Sequence, residues 1–402
     1  MRRLTMPVIL AALALLPVAL GAADWPRFLG PSANGFSSET GIKTNWSQAA
    51  PKMLWSTPMT DGGFAGPSAA GGKVFIIDHA DKDDVVRAID IKTGKDVWTY
   101  KYPDGKGENY GYSRSTPLVE GNRVYTVGRF GMVCCLDAKT GKPIWTANIQ
   151  TTFNGKIPQW NYAWSPTTDG NQLIVCPGGP DASVVTLDKM TGKTIWAGGG
   201  SDIPGYATPV VTQADGKKIY IVFTGVSLIA VDAKTGKLLW RVPWKTDYDI
   251  NGATPIVMGN TVFITSGYNH GCALVQFTYT DANILWQSKD LISRFGTPLL
   301  FNGYVYCTED PNDLVCMDPK TGKVAWKQPN FEWGPATGIG SGVGMVFDGK
   351  GGDLVLVKLT PEKYQEIGRF KPLGSQSWTA AIVADGKLIV RNKTALACFA
   401  LK

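Results

Sequence analysis

The sequence predicts an all-β fold, an eight-bladed β-propeller of four-stranded antiparallel blades, and three observations carry that expectation. A turn motif recurs without gaps, opening at Asp90, Asp137, Asp188, Asp232 and Asp318 and closing on Trp98, Trp145, Trp196, Trp240 and Trp326, always eight residues later. A second phrase, strand then Gly-centred turn then strand, runs from Thr116 to Tyr125, Thr254 to Phe263 and Thr297 to Tyr306. Tryptophans from Trp55 to Trp326 recur at a mean spacing of about 45 residues, the length of one four-stranded blade.

The chain opens with Arg2 and Arg3, an apolar run from Pro7 to Leu20 and the small residues Gly21, Ala22 and Ala23. That order reads as a cleaved secretory signal over residues 1–23, and the run is short for a membrane span. The flanks of the Arg pair match twin-arginine export poorly. The first cysteine is Cys134, so no lipidation cysteine stands at the cleavage point. The expected location is therefore periplasmic or secreted, with no transmembrane segment after cleavage. Residues 24–52 form an arm too short to be a domain, whose Trp25, Phe28, Phe36 and Trp46 are expected to cover apolar surface on the ring. The propeller is expected over residues 53–402.

Each turn has a local cause. Asp accepts backbone amides ahead of it, and Gly takes the positive φ a tight hairpin needs. The segment ending at Trp286 keeps the tryptophan but has lost the turn, and a more degenerate copy carries Ile367 in its place. Eight outermost strands result. The first, around Trp55, has no blade before it, and the three strands after Trp378 have no fourth, so the N-terminal strand closes the ring by pairing with the C-terminal blade.

Composition narrows the chemistry. With 47 Gly, 25 Pro, 14 Trp and 18% charged residues, the chain is neither a coiled coil nor a disordered one. Two histidines, His79 and His270, read as loop or surface residues and leave no Ser/His/Asp constellation or His-rich metal centre to assemble, so no metal is expected. The seven cysteines form no C-x-x-C pair and sit in apolar stretches, as buried thiols with room for one or two bridges. Cys134 and Cys135 are adjacent in a β run, where neighbours point to opposite faces, so joining them would strain the ladder. The net charge of +7 comes from the ten lysines of the five intact turns, which read as solvated turn residues lining one rim.

The Asp-x-Lys-Thr-Gly-Lys-x-x-Trp repeat resembles the pyrroloquinoline-quinone (PQQ) repeat. That repeat is shared by quinoprotein alcohol dehydrogenases and by outer-membrane assembly scaffolds of the BamB type, both eight-bladed. The resemblance covers roughly residues 53–401. It implies that Trp98, Trp145, Trp196, Trp240 and Trp326 dock on the neighbouring blade, and Trp55 and Trp286 are read the same way. The opening from Asp24 to Pro31, with Gly35-Phe36-Ser37 and Trp46, is similar to the arm of many secreted bacterial proteins of this class. Dehydrogenases of the class use a carboxylate-rich calcium site, an Asp base, an Arg and a Trp floor, under insertions that roof the cofactor. The short plain blades here point to no cofactor, with PQQ and calcium as the alternative.

The loops entering each innermost strand converge on the axial funnel. Their candidates for ligand or partner contact are Tyr112, Arg114, Trp160, Tyr162, Trp164, Tyr206, Asp249, Asn251, Arg294, Trp333 and Trp378. Aromatics with two arginines and two acids suit a planar or sugar-like ligand or a peptide strand. Arg114 and Arg294, in blades two and six, are expected to face each other across the ring. The expected function is a non-catalytic binding or scaffolding module of the cell envelope, the alternative a small PQQ-dependent oxidoreductase acting on alcohols or sugars. The expected partner is an envelope protein or extracellular polymer, with no nucleic acid, and the expected state is a monomer.

Overall fold

The computed structural model describes residues 23–105, 107–340 and 342–402. The expected signal segment therefore lies outside the described residues, apart from Ala23. Eight antiparallel sheets of four blade strands follow one another around a ring. Blade 1 comprises Ser68–Ala70, Lys73–Ala80, Asp83–Asp90 and Asp96–Pro103, ordered from the axis outwards. The innermost strands of blades 2 to 8 are Leu118–Glu120, Thr167–Asp169, Val210–Ala214, Ile256–Met258, Leu299–Phe301, Ala336–Ile339 and Ile382–Ala384.

The repeat turn joins the third and fourth strands. Asp90 Oδ1 accepts the amides of Lys92 and Thr93 at 3.0 and 2.8 Å and the Thr93 hydroxyl at 2.9 Å. The Thr93 contacts, with those amides, hold the Asp90 carboxyl below its ordinary range. Asp137, Asp188 and Asp232 repeat the pattern. A bulge just before each tryptophan re-aims the outer strand, as between Ala88 and Ile89 opposite Trp98 and Asp96.

That bulge sends the indole onto the next blade. Trp98 Nε1 donates to the Ala138 carbonyl at 3.2 Å, Trp196 to Ala233 at 3.2 Å and Trp240 to Thr278 at 3.1 Å. Trp55, Trp145, Trp286 and Trp326 do the same to Ile91, Lys189, Lys320 and Thr360. Each repeat-turn glycine tested by this contact has a second reason to lack a side chain. A Cβ on Gly141 would stand 2.5 Å from the Trp98 ring, and one on Gly236 2.4 Å from Trp196. Trp and Gly are thus two halves of one inter-blade joint.

The ring closes where expected. Met53–Pro58 pairs antiparallel with Ala395–Ala400 as the outermost strand of blade 8. All seven cysteines are buried free thiols. Cys134 packs with blade 1 residues such as Phe75 and Trp98, whereas Cys135 packs with blade 3 residues such as Val185, on the opposite face of the same strand. Burial pushes the two thiols up to about 12 and about 11.

The arm does more than cover the outside of the ring. Trp25 exchanges both backbone bonds with Ala69 in blade 1, at 2.8 Å each, and the Pro26 carbonyl accepts the Val119 amide of blade 2 at 2.7 Å. The chain then crosses the axis: Gly35 accepts the Gly338 amide at 2.8 Å, and Phe36–Ser37 pairs in parallel with Ala336–Ile339 of blade 7. Glu39 accepts the amides of Ala23 and Gly386 at 3.1 and 2.9 Å and the Lys402 ammonium at 2.5 Å. Trp46 ends the crossing, edge-on to Phe370 at 5.0 Å. Contacts at the blade hairpins, to Gly71 by Asp24 and to Gly386 by Glu39, put the crossing on the same face as the repeat turns. That end of the axial channel is sealed.

Candidate functional site: the axial cavity and its mouth

Five innermost strands are preceded by Thr-Pro or Ser-Pro, at Thr116, Ser165, Thr208, Thr254 and Thr297. Proline holds the residue before it extended, which turns that residue's amide sideways toward the next blade. The Thr116 amide donates to Ser165 Oγ at 2.9 Å, Ser165 to Thr208 Oγ1 at 3.1 Å, Thr208 to Thr254 Oγ1 at 3.3 Å, and Thr254 to Thr297 Oγ1 at 3.1 Å. A girdle of hydroxyls thereby links blades 2 to 6 around the axis.

Inside it lies a cavity of about 130 Å³. Its floor is the arm, through Trp25, Phe28, Leu29 and Gly35, and its wall includes Thr116, Ser165, Thr208, Thr297, Thr337 and Thr379. Its mouth, on the face opposite the repeat turns, is formed by Phe64, Arg114, Tyr206, Phe295 and Trp378. Among the described lining residues Arg114 is the single ionised side chain, and there is no carboxylate.

Arg114 is held by backbone carbonyls. Its Nε bonds Tyr110 O at 3.0 Å, and its terminal nitrogens reach the carbonyls of Asn109, Tyr110 and Trp160. Burial pushes its guanidinium down to about 10, and nearby Arg129 adds to that effect while Tyr206 opposes it. Tyr206 accepts the Trp160 amide at 3.2 Å, and burial pushes its phenol up to about 12. Across the axis, Arg294 does have a counter-ion, Asp310 at 3.0 Å, and is sandwiched by the rings of Tyr268 and Trp333 at 4.5 and 4.4 Å. Trp333 donates to the same Asp310 and meets Trp378 edge-on at 5.5 Å, while Trp378 also packs on Phe64 and Phe295.

Of the candidates read from sequence, Arg114, Tyr206 and Trp378 line the cavity, and Trp160, Arg294 and Trp333 form the layer around its mouth. Asp249 lies in the same rim at φ 56°, its carboxyl raised by burial with Lys245 opposing. Four others sit elsewhere, Tyr112 beside His79 and three in the packed interior. Tyr162 and Trp164, each 1% exposed, point into the core with Val175 and Val185 rather than to the mouth, and the Tyr162 hydroxyl bonds Pro177 O at 2.8 Å. Asn251 is fully buried and spends its amide on the carbonyls of Thr224 and Trp244, at 2.7 and 3.1 Å, tying one loop to another.

Tyr112 belongs to a separate cluster that sequence reading missed, because it assigned His79 to a loop or the surface. His79, next to last in the second strand of blade 1, is 4% exposed and stacked on Tyr112 at 3.4 Å and 8°. Its Nδ1 faces Asp84 at 3.2 Å and Asp104 at 3.7 Å, and its Nε2 faces the Asp81 carbonyl at 3.2 Å. His79, Asp84 and Asp104 offer ligand atoms close enough for one cation. Both oxygens of Asp104 are, however, engaged by Arg129, and Asp84 bonds His79 and Ser113, so the protein satisfies this set itself. The one advance signal was the unbroken apolar run Val74-Phe75-Ile76-Ile77 leading into Asp78 and His79, in a strand that buries six consecutive residues.

A PQQ–calcium unit does not fit the axial cavity. Calcium takes six to eight oxygens, with carboxylates prominent among them, and the described lining offers hydroxyls but no carboxylate.

An eight-bladed ring, jointed by indole-on-glycine contacts and sealed at one end, defines this chain as a PQQ-repeat propeller. The chain belongs to the family described as "Outer membrane protein assembly factor BamB", whose sequence model matches residues 36–117 and 82–328. It is 26% identical to the outer membrane protein assembly factor BamB of Moranella endobia over 252 residues, 58% of this chain and 61% of that relative's length. It is 27% identical to the quinoprotein ethanol dehydrogenase of Pseudomonas aeruginosa over 309 residues, 66% of this chain and 47% of the relative. The solved structure of BamB from Moraxella catarrhalis superposes with a TM-score of 0.61 at 17% identity, covering 87% of this chain and 99% of that one, a likeness of fold.

Proposed function

We propose that the protein is a non-catalytic scaffold of the cell envelope that receives a protein partner on the mouth of its propeller and serves outer-membrane protein assembly. One observation carries the choice of face. Tyr110, Tyr248, Tyr268 and Trp333 all project from mouth loops, and all four hold φ between 50° and 60°. Bulky residues are rare there, and such conformations gather at binding sites, where the surroundings force them. Tyr110 and Tyr248 are also 62% and 50% exposed, aromatic surface presented with its backbone fixed. Ordered aromatics contribute most to protein recognition because they lose little freedom on binding. The other face supports no equivalent role at the axis, since the arm fills it. The lining chemistry described above favours this reading over a quinone-dependent dehydrogenase.

The proposed place of action is the periplasm, reached through the leader at residues 1–23, and the proposed working state is a monomer without a cofactor. The test is genetic. Loss of the gene in the native host should lower the amounts of outer-membrane proteins, wild type should restore them, and a Tyr110→Ser/Tyr248→Ser variant of equal abundance should not. An unchanged outer-membrane proteome after gene loss would refute the reading.

A further inference from the structure

We propose that the axial cavity binds a small single-ring aromatic anion, such as an aryl carboxylate, with its ring above the arm and its charge at Arg114. Three observations bear on the class of ligand. The first is size: about 130 Å³ is close to the roughly 150 Å³ of a cavity that holds one benzene ring, so a single ring fits with its charged group at the open mouth beside Arg114.

The second is charge. Arg114 is surrounded by carbonyl oxygens, and no carboxylate lies within ion-pair distance of it among the described residues. Arg114 is half-buried, so its charge is only partly hydrated and has no counter-ion to compensate, and an anion in the cavity would stabilise it. Arg294 on the far side shows the contrast, because Asp310 already neutralises it.

The third is the balance of donors and acceptors. The oxygens of Ser165, Thr208 and Thr297 each accept a neighbouring blade's amide, which occupies acceptor capacity and leaves the O–H proton to be given. Thr337 and Thr379 give their protons to the carbonyls of Ala381 and Gly63, but the hydroxyls of Ser165, Thr208 and Thr297 with the Arg114 guanidinium, and no carboxylate among the described lining residues, favour a ligand that brings acceptors. The flat faces of Trp25, Phe28, Phe295 and Trp378 select a ring. A single ring without a metal also separates this ligand from the quinone–calcium unit that the lining does not accommodate. Because the cavity and the exposed rim tyrosines are different surfaces, this inference stands or falls apart from the docking of a protein partner.

The experiment is titration of the purified full chain with benzoate, followed by calorimetry and by tryptophan fluorescence. Benzyl alcohol, the uncharged analogue, is titrated in parallel. Benzoate should saturate, and benzyl alcohol should bind at least about 10-fold more weakly, as expected for loss of a charge-assisted hydrogen bond. Ala380→Leu, which fills the cavity from its wall, should abolish benzoate binding with the melting temperature retained. Arg114→Gln should weaken it about 10-fold or more. No saturable signal up to millimolar benzoate, equal binding of the two ligands, or undiminished binding by folded Ala380→Leu would each overturn the proposal. The uncharged ligand and the wall variant keep the test decisive even if loss of Arg114 disturbs the loops it holds.

Discussion

Arg391 and Asp61 form a fully buried ion pair, Nη2 to Oδ1 at 2.6 Å and Nη1 to Oδ2 at 2.9 Å, that joins residues 330 positions apart in the chain. Arg391 ends the second strand of blade 8, and Asp61 follows the strand that completes that blade from the N-terminus. The pair therefore locks the seam on its way into blade 1, where Arg391 also bonds the Ala65 carbonyl at 3.2 Å.

Removing one partner at this seam strands the other charge in the interior. Arg391→Met should destabilise the protein by about 3 to 5 kcal/mol, and the Arg391→Met/Asp61→Leu double variant should recover much of that loss. Chemical denaturation of the three proteins checks this; a single variant as stable as wild type would contradict it.

Deleting residues 24–58 should have a larger effect than any point change. The deletion removes both the arm across the channel and the outer strand paired with Ala395–Ala400, leaving a bare strand edge. Loss of soluble monomer on size-exclusion chromatography is the expected result, and an equally heat-resistant monomer would refute the closure's importance.

Trp240→Ala should cost about 3 to 5 kcal/mol, as for other large buried aromatics, because it opens a hole between blades 4 and 5 and orphans the Thr278 carbonyl. Benzoate affinity of the folded fraction should not change. A variant of full stability with altered ligand binding would instead place this residue in a site.

The arm should loosen in acid. Burial alone would raise the Glu39 carboxyl, but Lys402 and the amides of Gly386 and Ala23 outweigh it and hold the group below its ordinary value. A lowered folded value means that the ionised group stabilises the fold above the unfolded value, about 4.3, and that this contribution is lost as pH falls through the folded value. Hydrogen exchange of residues 24–46 should therefore accelerate below about pH 4, and Glu39→Gln should show the faster exchange already at neutral pH. Exchange that ignores both changes would rule Glu39 out as the arm's anchor.

The sequence by itself determined what is local and repeated. Asp, Gly and Trp at fixed spacing specify a turn, a bulge and an indole, and each acts within a few residues or on an adjacent blade. Repetition made those parts legible, down to the blade count and the strand that closes the ring. Only the tertiary structure decided which way a side chain in a single-copy loop faces. In the stretch from Trp160 to Trp164 the two later aromatics turn into the core while the first stays at the rim. Asn251 was drawn to carbonyls 27 and seven residues away, and His79 was buried by carboxylates from two other segments. The arm is the plainest case. Its aromatics announced apolar contact, but its path across the axis depends on strand edges from blades 1, 2 and 7 that exist only once the ring has formed. Burial of a polar or aromatic group is decided by partners brought together through long-range closure, and a pattern along the chain carries no record of them.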